Sequence, residues 1–121
     1  MNDLINLFNK HVDDFPQTQG SYYKNGDFLT YVDGIFFLVQ REHDVNNVVA
    51  FRYSKINDEP LTVTIHKFVT RCIFQGIRYL RVESKTNRWL PLFKKLAPRL
   101  NVSVLPDDEK TDKDVLYLKL Y

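Results

Sequence analysis

A single cysteine, Cys72, is the whole thiol complement of the 121-residue chain. It can close no internal disulfide, and a cysteine-built zinc site is implausible. Glycine is nearly as scarce, with residues 20, 26, 34 and 76 placed as turn or helix-stop signals. No apolar run is long enough for a membrane-spanning helix. The opening residues, Met1 to Phe8, have no basic start, long apolar stretch or small-residue cleavage site, so no secretion signal is expected there. The three histidines, His11, His43 and His66, share no metal-ligand spacing and read as satisfied or exposed side chains. There is no internal repeat, low-complexity tract or linker. These absences lead to an expected setting in the cytoplasm, or inside a particle assembled there.

Aromatic residues are plentiful instead. Seven Tyr and nine Phe, within a hydrophobic content of 44%, exclude disorder and supply one packed core for one domain. Net charge is only +2, but it is unevenly placed: −4 over residues 1–60, +8 over 61–100 and −2 over 101–121. The basic block holds Lys67, Arg71, Arg78, Arg81, Lys85, Arg88, Lys94, Lys95 and Arg99 against Glu83 alone. Such a block attracts phosphates or an acidic protein, or simply forms a solvated surface paired with acids elsewhere.

Periodicity sets the order of elements. Leu4, Ile5, Leu7, Phe8 and Val12 have helical spacing, with Asn2 or Asp3 as a cap. A polar loop over 13–26 follows. The runs Phe28–Val32, Ile35–Gln40 and Val48–Tyr53 read as strands, joined by Asp33-Gly34 and by a turn over His43 to Asn47, which makes a three-stranded meander. Asn57-Asp58-Glu59-Pro60 starts a helix whose stripe is Leu61, Ile65, Phe68, Val69 and Cys72, stopped by Gly76. On that stripe Cys72 is a core residue rather than a nucleophile. Ile77 to Glu83 is a strand and Asn87 to Leu96 a helix, with Leu90, Phe93 and Ala97 inward and Pro91 in its first turn. Val102–Leu105 and Val115–Leu120 are the last strands, joined by the acidic loop Asp107 to Asp114; Leu116, Leu118 and Leu120 face inward. The acid pairs at Asp13-Asp14 and Asp107-Asp108-Glu109 fit turns and solvation, not glycosidase or metal roles. The fold class is therefore α+β: a mixed, mostly antiparallel sheet with helices on its faces.

That order, over residues 27–121, and the stretch from Val82 to Leu96 resemble the GNAT acetyltransferase family. Asn87, Phe93 and Lys95 match the family's asparagine, leucine and basic positions. The resemblance implies a pyrophosphate-cradling, glycine-rich loop at the start of the helix after the meander. Ser54-Lys55-Ile56-Asn57-Asp58-Glu59-Pro60-Leu61 stands there instead; it has no glycine, and its acids and proline make a poor phosphate site. The family's acid, a tyrosine, is matched by Lys94, and no carboxylate falls between Asn46 and Tyr53 to serve as base. Tyr53 and Tyr79 read as core tyrosines beside the cleft. A degenerate GNAT-like domain with no catalytic, cofactor or metal residues is expected, resembling the small internal virion proteins of short-tailed phages. Its function is then binding, with a protein partner or assembly. An active N-acetyltransferase using acetyl-CoA, and a nonspecific nucleic-acid-binding accessory protein, stay open beside it. The residues assigned to an anionic partner are Lys67, Arg71, Arg78, Lys85, Arg88, Lys94, Lys95 and Arg99. Whether residues 1–26 pack on the domain or on a neighbour is left open.

Overall fold

The computed structural model describes residues 2–42, 45–55, 59–83, 87–105 and 115–121. Its first tight feature is the turn at Asp33-Gly34. Both residues take positive φ, 50° and 85°, the combination that lets a two-residue hairpin follow the strand twist. A Cβ on Gly34 would lie 2.7 Å from the Ser54 carbonyl oxygen, while the Gly34 carbonyl accepts hydrogen bonds from the Tyr53 and Ser54 N–H groups at 2.8 and 3.0 Å. This turn joins β1 (Phe28–Val32) to β2 (Ile35–Glu42), and β2 pairs with β3 (Val45–Arg52) to complete the antiparallel meander.

The meander's second turn is shorter than the polar run from 43 to 47 implies. Val45 pairs with Glu42, Asn46 with Arg41 and Asn47 with Gln40. Polar side chains are admitted there because this end of the strands is half exposed and the ladder is made by backbone groups. His43 lies outside the described residues.

From β3 the chain crosses through α2 (Leu61–Phe74) to β4 (Tyr79–Glu83), which lies parallel to β3 through Asn47–Arg81 and Val48–Val82. β3 runs on to Arg52, past the end of β4. After α3 (Leu90–Leu96) come β5 (Ser103–Leu105) and β6 (Val115–Lys119), and β6 inserts between β4 and β5. The sheet order is β1-β2-β3-β4-β6-β5, with β3–β4 its parallel contact. This is the α+β class, with a mixed, mostly antiparallel sheet. The α3 helix is shorter than the span from Asn87, because Asn87 to Trp89 form a turn ahead of it.

Two apolar clusters sandwich the sheet. One face of β1, β2, β3, β4 and β6 packs on α2 and α3 through Phe37, Phe68, Trp89 and Phe93, with the Phe37 and Phe68 rings stacked 4.2 Å apart. On the other face α1 (Asn2–His11) and the turns after it cover the meander, with Phe8 and Val12 against Phe36, Leu38, Val49 and Phe51. Residues 1–26 therefore supply this domain's own second layer. That layer takes no residue from β4, β5 or β6. Along β4 burial alternates, Leu80 and Val82 inward and Tyr79, Arg81 and Glu83 outward, and β6 follows the same rule. Among the described residues, half of one sheet face is thus left bare.

Candidate functional site

The basic block does not gather on one surface. Lys67 and Arg71, one turn apart on α2, stitch that helix to the first hairpin. The Lys67 ammonium donates to both Asp33 carboxylate oxygens at 3.1 and 3.2 Å, and the Thr64 hydroxyl donates to the same group at 3.0 Å. Burial pushes the Asp33 carboxyl up, but the bonds from Lys67 and Thr64 and the charges of Lys67 and Arg71 hold it below its usual range. The Arg71 guanidinium donates to the Thr30 hydroxyl at 2.7 Å and to the Tyr31 carbonyl at 3.0 Å. Both side chains therefore hold α2 against the outer strand.

Arg88, Lys94, Lys95 and Arg99 form a second group, all exposed, along α3 and the 3-10 turns beside it. Arg88 lies over the Trp89 ring, 4.9 Å from its centre. Residues 87–105 contain no acid at all, so this helix presents unopposed positive charge of its own. Arg78 stands elsewhere, over the Tyr121 ring at 5.4 Å. Lys85 lies outside the described residues.

The positions that the acetyltransferase likeness makes important are structured as follows. Ile56, Asn57 and Asp58 lie outside the described residues. Glu59 and Pro60 are exposed at the head of α2, whose first turn closes on the Pro60 carbonyl through the Val63 and Thr64 N–H groups. Tyr53 and Tyr79 are not core tyrosines: they are 44% and 43% exposed. Tyr53 sits just past the end of β3 against the His11 ring, and Tyr79 points out of the bare sheet face because it occupies the outward register of β4. Lys94 is exposed. Cys72 is fully buried, and burial pushes its thiol up, which keeps it protonated and inert. Asn87 is also fully buried. Its side-chain oxygen accepts from the Trp89 N–H at 2.9 Å and its own N–H donates to the Glu83 carbonyl at 2.9 Å, while its amide nitrogen meets no partner among the described residues.

Residue patterns alone did not reveal the bare half-sheet as a site. Arg81 is its centre. The guanidinium donates to Glu83 at 2.8 Å, to the Asn47 side-chain oxygen at 3.2 Å and to the Tyr117 hydroxyl at 3.4 Å, and it lies over the Tyr117 ring at 5.9 Å. The bond that it donates to Glu83 raises the pKa of Arg81 further. A hollow of about 190 Å³ opens on one side of Arg81 between Val45, Asn46, Tyr79 and Tyr117, and another of about 370 Å³ on the other side by Gln40, Glu42 and Asn47. The alternation of Tyr117, Lys119 and Tyr121 was visible in the sequence. What it lacked was the register that sets Tyr79 and Arg81 beside them.

Among the described residues no cluster of metal-ligating side chains forms, and no helix is long and apolar enough to cross a membrane. Set against protein-family models, curated proteins and solved structures, the chain matches none.

Proposed function

We propose that this chain is a non-catalytic binding protein on a GNAT-like frame, a structural, assembly or accessory component of the kind carried in phage particles. A protein partner or an anionic one engages its acid-free α3 surface. The head of α2 carries the reading. A pyrophosphate needs free N–H groups and positive potential at a helix N-terminus. Here Glu59 adds negative charge and Pro60 contributes no N–H. The exposed Lys94 at the family's acid position and the carboxylate-free strand β3 support the same view.

An active acetyltransferase is the second reading. It is favoured by one observation: the unpartnered Asn87 amide, buried just beyond the end of β4 and beside the β3–β4 junction. Melting the full chain with and without millimolar acetyl-CoA, and with plain CoA, separates the two. A ligand at about 100 times its dissociation constant adds about 2.7 kcal/mol to the folded state, a shift of several degrees for a domain this size. No shift with either cofactor is expected; a clear rise with acetyl-CoA overturns the non-catalytic reading.

A further inference from the structure

We propose that the bare half-sheet binds single-stranded nucleic acid, with bases stacked on Tyr79, Tyr117 and Tyr121 and the phosphate backbone held by Arg78 and Lys119. This surface lies on the opposite side of the sheet from α3, and the proposal does not depend on the acetyltransferase likeness.

The case begins with exposure. A sheet that buries both faces of its meander leaves Tyr79 and Tyr121 43% and 50% exposed on its other half. Register then fixes their neighbours. Tyr79 stands opposite Lys119, Arg81 opposite Tyr117, and Arg78 lies over Tyr121. Tyr79 and Tyr117 are therefore each paired with a cation across β4 and β6, and Tyr121 has one over its ring. Flat rings of this kind stack any base, while cations between them meet the phosphates that join successive bases.

Charge points the same way. Arg81 is neutralised by Glu83 at 2.8 Å, which keeps it as a fixed planar floor. Arg78 and Lys119 have no acid within ion-pair distance among the described residues, and Glu42 at the rim is held by Lys24 at 3.3 Å. Among the described residues the surface between the rings is positive, so it suits a polyanion. Its form selects a single strand over a duplex: an open sheet offers ring faces, whereas a duplex keeps its own bases stacked and reads through its grooves. The hollows beside Arg81 are lined by Asn46, Asn47 and Gln40, amides able to meet base edges.

The test is a fluorescence-anisotropy titration of the full chain with labelled 10-nucleotide oligo(dT) and oligo(U), and with a duplex of the same length, at 50 and 200 mM salt. Single strands should bind more tightly than the duplex, and weaken as salt rises. Tyr79→Ala and Tyr121→Ala should each weaken single-strand binding by roughly five-fold or more. Lys119→Gln, which removes charge and little packing, should weaken it and flatten its salt dependence. Lys94→Gln with Lys95→Gln tests the α3 surface on the far side instead, and the tyrosine variants should lose more single-strand binding than it does. Equal duplex binding overturns the proposal, as does no binding at 50 mM salt or a loss confined to the Lys94/Lys95 variant. Sedimentation of the unliganded chain adds one more outcome: a dimer broken by Tyr79→Ala would give the face to a second copy and also overturn it.

Discussion

At the scale of single residues, Asn87 shows what a sequence motif can and cannot say. Its place after a strand was legible, and it read there as the start of the next helix. The structure gives that start a partner: the side-chain oxygen accepts the Trp89 N–H at 2.9 Å inside a fully buried site. Asn87→Ala removes the acceptor and leaves a buried N–H unpaired, which should cost about 1–2 kcal/mol. The measurement is the urea midpoint of the variant against the parent chain, and an unchanged midpoint would mean that the cap contributes nothing. The tyrosines taught the opposite lesson. Tyr53 and Tyr79 read as core tyrosines beside a cleft, yet both are exposed, Tyr79 at the outward register of β4 and Tyr53 just past the end of β3. One residue of register decides which face a strand side chain meets, and no local pattern fixes it for a half-covered sheet.

At the scale of elements, helices and hairpins were easier to read than their attachments. The stripe Leu61, Ile65, Phe68, Val69 and Cys72 marked α2, and the structure buries all of it but the partly exposed Leu61. Asp33-Gly34 marked the first turn. That the two elements are tied together was not legible, because Asp33 and Lys67 lie 34 positions apart and each had a sufficient local role. Asp33 read as a turn residue and Lys67 as part of a cationic patch. Their ion pair makes a pH prediction. A carboxyl held low in the folded chain contributes stability that is present above the unfolded pKa of about 3.9 and is lost as pH falls through the folded value. Asp33→Asn keeps a residue that tolerates positive φ while removing the charge. At pH 7 it should be less stable than the parent chain, and the gap should narrow as pH falls below the unfolded value of about 3.9. Denaturation midpoints at pH 7, 4 and 2.5 check this. A gap that stays constant down to pH 2.5 would show that the ion pair is not its source.

At the scale of the whole molecule, the order of elements fixed the fold class, but which parts of the sheet are covered had to come from the structure. Residues 1–26 were readable as a helix and a loop, and their apolar stripe suited this domain or a neighbour equally. The sheet resolves the choice, because β2 and β3 carry Phe36, Leu38, Val49 and Phe51 on the face away from α2 and α3. Those side chains need a cover, and α1 provides it. β4 and β6 place Tyr79, Arg81, Tyr117 and Lys119 on the same side, so they need none. The boundary between covered and bare sheet thus follows the change from Phe, Leu and Val to Tyr, Arg and Lys at outward positions. If this is right, the two layers unfold as one. Phe8 is fully buried, with its ring 5.4 Å from Phe51 and 5.8 Å from Phe36, and truncating a buried phenylalanine costs about 3–5 kcal/mol. Phe8→Ala should lower the melting temperature of a single cooperative transition, followed alike by tyrosine fluorescence and far-ultraviolet circular dichroism. Two separated transitions, with the later one at the parent temperature, would mean that α1 frays alone and that the meander stands without its cover.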